Sequence, residues 1–149
     1  MYCCLVVRRP RAYGSSYKKE DSKGQAYKQD IQAAFGLRYG SAIALTGDLY
    51  GAVYCFYPRY NNATDADADN ISKPVWDCLT GFLYQDDKQV KLRTAACYDL
   101  AQNELTDLDV TGLPDDIRDK LLDAIDQKQC VLYIECGRMR TDMIRFNLE

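Results

Sequence analysis

The chain has 149 residues, a length that predicts one domain with a sizeable hydrophobic core. It contains no histidine, which excludes Ser-His and Cys-His catalysis and histidine-ligated metals and leaves any catalysis to carboxylates and lysine. The net charge of −3 is uneven: residues 1–60 carry +5 and residues 61–149 carry −8, of which −6 lies in residues 99–129. A basic DNA-facing surface is compatible with this distribution if the acidic segment, residues 99–129, faces elsewhere.

The seven cysteines occur at scattered positions, and none belongs to a C-x-x-C pair. This odd number and spacing indicate neither a zinc cluster nor a disulfide framework, and they predict free thiols in a reducing cytoplasm. No apolar run approaches the ~18 residues of a membrane span. The apolar residues 1–7 precede the first basic residues, which is the reverse of a signal peptide. We therefore expect a cytoplasmic protein with no membrane segment.

The first elements are a strand, a basic loop and a helix. Residues 2–7 predict the strand, and residues 22–35 predict a helix that Ser22 caps and Gly36 ends. The loop between them, residues 8–21, is either a solvated connection or a phosphate-binding surface. With the polar face of the helix, it supplies the candidate DNA-binding residues Arg8, Arg9, Arg11, Lys18, Lys19 and Lys23.

The next elements are a strand and a short amphipathic helix. Residues 48–57 are apolar on both faces, which predicts a central strand that Pro58 ends. The spacing of Val75, Cys78, Leu79 and Phe82 then predicts a helix of about two to three turns. Its cap would be one of Asp69, Asn70 and Ser72, Pro74 would lie in its first turn, and Gly81 would follow its end.

Carboxylates lie on both sides of this helix. Asp67 and Asp69 would project from the same side of an extended segment, and Asp87 follows the helix. If the chain folds back, these three carboxylates converge and need a cation, for which Mg²⁺ or Mn²⁺ is suited. Such a site supports phosphodiester hydrolysis, with Lys73 at the phosphate.

Two other interpretations compete with this metal site. Acidic pairs are frequent in a chain with 22 acidic residues, and most of them belong to solvated loops. Asp65, Asp67 and Asp69 also imitate the first ligands of a calcium-binding EF-hand loop. That loop requires glycine at its sixth position and glutamate at its twelfth, where this chain has Asn70 and Trp76. The EF-hand alternative therefore fails at both diagnostic positions.

The sequence after Asp87 predicts five further segments in chain order: a strand at residues 88–98, an acidic loop at 99–113, a helix at 114–127, a strand at 130–136 and an edge strand at 143–148. Ile117, Leu121, Ala124 and Ile125 would form the apolar face of that helix. Strands and helices are mixed, so we predict an α+β fold: one domain, residues 1–149, with a mixed sheet and packed helices. The acidic segment has the character of a helical insertion.

The central stretch contains two runs in a distinctive order, Asp67-x-Asp69-Asn70-x-x-Lys73-x-x-x-Asp77-x-Leu79 and then Asp86-Asp87-x-Gln89-Val90. With Gly24-Gln25-Ala26-Tyr27-Lys28 upstream, this pattern resembles the RusA family of Holliday-junction resolvases over roughly residues 22–93. By position, the resemblance implies catalytic and metal-binding carboxylates at Asp67, Asp69 and Asp87, and a catalytic lysine at Lys73. Asp86 is the fallback for the third carboxylate, because the spacing is about one residue shorter than the family pattern.

The resemblance implies a homodimeric, Mg²⁺- or Mn²⁺-dependent endodeoxyribonuclease that nicks a four-way DNA junction symmetrically. One alternative keeps this fold and cuts other branched DNA, such as flaps or forks. Another is a non-catalytic, metal-stabilised binding protein. The acidic segment is a candidate surface for a protein partner.

Overall fold

The computed structural model describes residues 1–14, 17–18, 20–40, 44–102 and 108–148. These residues form a four-stranded mixed sheet with three helices, which confirms the predicted α+β fold. The strands are β1 (Tyr2–Val7), β2 (Leu49–Tyr57), β3 (Val90–Asp99) and β4 (Val131–Arg138). The helices are α1 (Ser22–Tyr39), α2 (Ala68–Leu79) and α3 (Asp115–Asp126), with short 3₁₀ turns at Asp87–Gln89 and Thr141–Met143.

The strand order in the sheet is β1-β4-β2-β3. Strand β2 is parallel to β3 and antiparallel to β4, which is in turn antiparallel to β1. The prediction of a central strand at residues 48–57 is confirmed, because β2 has a hydrogen-bonded neighbour on each side. Its apolar residues on both faces are needed because helices cover both faces of the sheet.

The helices lie on opposite faces of the sheet. Helices α1 and α2 pack on one face, where Ile31 of α1, Val75 of α2 and Val53 of β2 share one buried cluster. Helix α3 covers the other face, where its predicted apolar residues pack against Leu5 and Phe56. The buried residues of α3 are the four predicted ones: Ile117, Leu121, Ala124 and Ile125.

Helix α2 lies against the sheet where β2 has no side chain. A Cβ at Gly51 would stand 2.7 and 2.8 Å from two carbons of the buried Trp76 ring, and its closest approach would be to Cη2 of that ring. The Trp76 indole N–H donates to Ser72 Oγ at 2.8 Å. The Tyr84 hydroxyl donates to the Trp76 carbonyl at 2.6 Å. Gly51 therefore sets how closely α2 approaches the sheet.

The start of α2 differs from the prediction. Asp67 is the N-cap, and its carboxylate accepts from the Asn70 N–H at 3.0 Å, so Asp69 lies in the first helical turn rather than in an extended segment. Pro74 consequently lies inside the helix and not in its first turn. Proline has no N–H to donate to the carbonyl four residues earlier, and that carbonyl, on Asn70, accepts from the Tyr13 N–H at 2.8 Å instead. A contact from outside the helix thus permits the interior proline. The predicted end is confirmed, because Gly81 follows the helix at φ +80°.

Two other boundaries also differ. Helix α1 is capped by Asp21 rather than Ser22, and it continues through Gly36 to Tyr39. The predicted edge strand at residues 143–148 is wrong, because Thr141–Met143 is a 3₁₀ turn and residues 144–148 are not in a strand. The apolar residues there are exposed, with Phe146 88% and Leu148 94% accessible, so this segment has no buried face that would pack it against the sheet. Residues 103–107 of the predicted acidic loop lie outside the described residues.

Candidate active site

Lys73 lies at the centre of a charged cluster between α2 and the start of β3. Its ammonium nitrogen is 2.8 Å from Oδ1 of Asp77 and 3.3 Å from Oδ2 of Asp87. Arg93 contacts the same Asp87 oxygen at 3.3 Å and donates to the Asp87 carbonyl at 2.7 Å. One carboxylate thus balances a lysine from the helix and an arginine from the strand.

The turn before β3 determines which of two adjacent aspartates faces Lys73. Asp86 caps the 3₁₀ turn, and its carboxylate accepts from the Lys88 N–H at 2.9 Å. The Gln89 side chain completes the cap by accepting from the Asp86 N–H at 3.1 Å. With Asp86 occupied in this cap, Asp87 is the residue whose side chain reaches Lys73.

The charges around Asp87 change the proton affinity of both partners. Burial alone would raise the pKa of the Asp87 carboxyl, but the charges and hydrogen bonds of Lys73 and Arg93 outweigh it and lower that pKa. Burial likewise opposes the charge of Lys73, but Asp77 and Asp87 outweigh it and raise the pKa of Lys73. Lysine and carboxylate are therefore both ionised at neutral pH.

A cleft of about 550 Å³ opens beside this cluster, between α2 and β3. Asp69, Lys73 and Arg93 line it, together with Ala68, Ser72, Thr94 and Ala95. Side chains of both charge signs line the cleft, and the exposed Asp69 carboxylate is accessible to a cation. This is a site where hard oxygen ligands and phosphate-binding cations face the same space.

The three predicted ligands are placed along the helix and the following turn. Asp67 is at the N-cap of α2, Asp69 lines the cleft, and Asp87 contacts Lys73 and Arg93. In the part of the chain that the structure describes, no three Cys, Asp or Glu side chains are gathered closely enough to enclose a metal ion. The donor chemistry suits Mg²⁺ or Mn²⁺, since all three are carboxylates.

The arginines predicted to bind DNA are paired within the protein. Arg8 contacts Asp30 at 2.6 Å, Arg9 contacts Asp65 at 2.6 Å, and Arg11 contacts Asp21 at 2.9 Å. Their guanidinium groups also lie over the rings of Tyr27, Tyr57 and Tyr17, at 4.7, 6.0 and 4.7 Å. These contacts hold the loop at residues 8–21 against the rest of the domain.

The predicted DNA-binding lysines are placed differently. Lys18 and Lys23 are exposed, and within the described residues neither makes an ion pair. Lys19 lies outside the described residues. Unlike the three arginines, Lys18 and Lys23 therefore have side chains that a phosphate could approach without breaking an ion pair.

The acidic helix faces away from this region. Helix α3 packs on the sheet face opposite α2, and Asp115, Asp119, Asp123 and Asp126 are exposed on it. This arrangement keeps their negative charge on the other side of the sheet from the cleft.

Sequence reasoning missed two parts of the site. Arg93 was not singled out, although its spacing from Asp87 is short enough for a local contact. Tyr17 donates to Asp77 Oδ2 at 2.8 Å across sixty residues of sequence, and no local pattern points to that contact.

The sequence profile of the endodeoxyribonuclease RusA family matches residues 6–106, about two thirds of the chain. The chain belongs to the RusA family. No curated protein matches it. The RusA match includes Asp67, Asp69, Lys73, Asp87 and Arg93, and it ends before α3 and β4. Strand β4 nevertheless lies between β1 and β2, so residues beyond the RusA match complete the sheet. Among the described residues, no helix is long and apolar enough to cross a membrane.

Proposed function

We propose that this protein is a metal-dependent endodeoxyribonuclease that resolves Holliday junctions by paired symmetric nicks. The observation that carries the proposal is the Lys73, Asp87 and Arg93 cluster beside a cleft lined by Asp69. Lys73 and Asp87 both belong to the runs that resemble the RusA signature, and their side chains meet although they are fourteen residues apart. Family membership supports the nuclease class.

Asp67, Asp69 and Asp87 would hold Mg²⁺, with Mn²⁺ as the alternative. A bound divalent ion would supply an activated water and neutralise charge on the phosphate. Lys73 would contact the scissile phosphate and stabilise the charge that develops on its oxygens. Its ion pairs with Asp77 and Asp87 hold the ammonium group in place before substrate arrives.

Branched DNA and a second copy of the chain complete the proposal. A homodimer would place two such sites about a two-fold axis, which suits the similar symmetry of a four-way junction. Lys18 and Lys23 are placed to contact the phosphate backbone, because their charges are not paired within the described residues. We propose that this activity operates in the cytoplasm and that the exposed acids of α3 are open to a protein partner.

The test is cleavage of a labelled four-way junction and a linear duplex, each in Mg²⁺ and in Mn²⁺. The variant is Asp69→Asn, and the matched control is Asp126→Asn on the opposite face of the sheet. We expect paired nicks in the junction alone, which are lost in Asp69→Asn and kept in Asp126→Asn. Junction cleavage by Asp69→Asn at the normal rate would refute the assignment of the site. Preferential cleavage of flaps or forks would show that the substrate is another kind of branched DNA. Binding without cleavage in either metal would indicate a binding protein.

A further inference from the structure

We propose that Asp77 and Tyr17 are positioning residues, which hold Lys73 in place and connect it to the basic N-terminal loop. The structure places the Asp77 carboxylate between the Lys73 ammonium group and the Tyr17 hydroxyl, each at 2.8 Å. This inference rests on the proposed function for the role of Lys73, and it adds the residues that would fix the geometry of that lysine.

Asp77 is nearly buried and uses both of its oxygens. Its side chain is 6% exposed; Oδ1 accepts from Lys73 and Oδ2 accepts from Tyr17. A carboxylate in such surroundings requires partners, because an unpaired buried charge is strongly unfavourable. The contact with Asp77 is also shorter than the 3.3 Å contact between Lys73 and Asp87. Asp77 therefore holds the ammonium group independently of Asp87.

Tyr17 is itself held in a fixed position. Its ring packs against Tyr13, with centroids 5.1 Å apart, and the Arg11 guanidinium lies 4.7 Å from its centroid. Arg11 in turn contacts Asp21, the N-cap of α1. Burial and the hydrogen bond to Asp77 raise the pKa of Tyr17, so its hydroxyl stays protonated and can donate.

The loop has a second attachment to the same helix, one turn before Lys73. The Tyr13 N–H donates at 2.8 Å to the Asn70 carbonyl, which Pro74 leaves without a helical partner. Helix α2 is thus bonded to the loop at Asn70 and at Asp77, on either side of Lys73 along the chain. A displacement of the loop would be transmitted to Lys73 through Asp77.

This connection gives the loop a role in aligning DNA with the site. Lys18 follows Tyr17 directly, and its exposed side chain is one of those proposed to contact phosphates. A phosphate bound at Lys18 would lie at a defined distance from Lys73, because Tyr17, the neighbour of Lys18, is hydrogen-bonded to Asp77, and Asp77 is hydrogen-bonded to Lys73. The expected result of breaking this link is slower cleavage with unchanged junction affinity.

The first experiment compares Tyr17→Phe with Tyr13→Phe. Both variants remove one hydroxyl from two rings that are in contact, but only the Tyr17 hydroxyl contacts Asp77 in the described structure. We expect Tyr17→Phe to slow single-turnover junction cleavage by about threefold to tenfold, the effect of losing one hydrogen bond. Junction affinity should stay near the wild-type value, the melting temperature should fall by only about a few degrees, and Tyr13→Phe should resemble wild type. Equal cleavage rates in the two variants would overturn the proposal.

The second experiment needs neither DNA nor metal. The ammonium resonance of Lys73, assigned by its disappearance in Lys73→Arg, reports in NMR whether the group is hydrogen-bonded and protected from exchange. We expect it to weaken in Tyr17→Phe, to vanish in Asp77→Ala, which removes the acceptor of the ammonium group, and to persist in Tyr13→Phe. If wild type cleaves no junction but this pattern holds, the proposed function fails while the positioning role stands. An unchanged Lys73 signal in Asp77→Ala would overturn the positioning role whatever the cleavage results.

A double-mutant cycle tests whether Tyr17 acts through Asp77. In the Asp77→Ala background, Tyr17→Phe should cause no further loss of single-turnover rate, because alanine has no oxygen to accept from the Tyr17 hydroxyl. Multiplicative losses in the double variant would show that Tyr17 acts independently and would overturn the proposed link.

Discussion

The ammonium nitrogen of Lys73 lies 3.3 Å from Oδ2 of Asp87, although fourteen residues of sequence separate them. Arg93 lies 3.3 Å from the same oxygen. One carboxylate oxygen therefore balances two cations. A divalent ion that binds Asp87 must compete with both of these contacts. Its binding would still be measurable as a gain in stability if it binds the folded state alone.

The first prediction concerns magnesium. At a concentration about a hundredfold above the dissociation constant, Mg²⁺ should raise the free energy of unfolding by about 2.7 kcal/mol, because it binds the folded state alone. Asp69→Asn and Asp87→Asn should each remove most of this gain, because each deletes a charge from the proposed ligand set. The measurement is urea denaturation across a MgCl₂ titration. Asp126→Asn on α3 is the control and should keep the full gain, whereas retention of the gain in Asp87→Asn would contradict the proposed ligand set.

The second prediction concerns the packing of α2 on the sheet. Gly51→Ala should lower the free energy of unfolding by about 1–3 kcal/mol, because its Cβ would overlap the Trp76 ring. Gly36→Ala is the matched control in α1, where a Cβ meets nothing within 4 Å. That change should stabilise the protein by about 0.5–1 kcal/mol, since alanine favours a helix. Thermal and urea denaturation measure both values, and an equal effect of the two changes would contradict the packing.

The third prediction separates basic residues that bind DNA from those that stabilise the loop. Lys23→Ala should weaken junction binding and reduce the salt-dependence slope by about one, with unchanged stability, because its exposed charge has no ion pair in the described structure. Arg11→Ala should instead lower the free energy of unfolding by about 1–2 kcal/mol, because it removes contacts to Asp21 and the Lys18 carbonyl.

Binding isotherms at several salt concentrations and urea denaturation distinguish these two outcomes. A loss of stability in Lys23→Ala without a change in DNA affinity would show that its role in the protein has been misassigned.

The fourth prediction concerns alkaline pH. Burial raises the pKa of the Cys136 thiol to about 12, compared with about 8.5 in an unfolded chain. Between these values the unfolded state loses a proton that the folded state keeps, so the free energy of unfolding falls as pH rises above about 8.5. Cys136→Ala should reduce this fall by up to about 1.4 kcal/mol per pH unit.

Urea denaturation in reducing buffer between about pH 9 and 11 measures this slope. Val131→Ala is the control, because Val131 is also fully buried in β4 and does not titrate. It should lower stability by a similar amount at each pH, since only packing is lost. Parallel slopes for wild type and Cys136→Ala would contradict the prediction.

Local pattern alone predicted the buried faces of the elements. The spacing of Ile117, Leu121, Ala124 and Ile125 identified the face of α3 that packs on the sheet, because a helix repeats every 3.6 residues. The two apolar faces of residues 48–57 likewise identified β2 as a central strand. Local pattern misplaced the start of α2, because several residues there can cap a helix and packing decides that Asp67 does so. It also predicted a strand at 143–148, where no apolar face becomes buried.

The sequence by itself determined the α+β class, the free thiols, the family signature and the carboxylates and lysine of the candidate site. Only the tertiary structure decided that Asp87 rather than Asp86 reaches Lys73, that Arg93 joins them, and that Tyr17 meets Asp77. The physical reason is range. Helix and strand periodicity acts between residues a few positions apart, whereas hydrogen bonds and ion pairs form between whatever groups the packed helices and strands bring within about 3 Å.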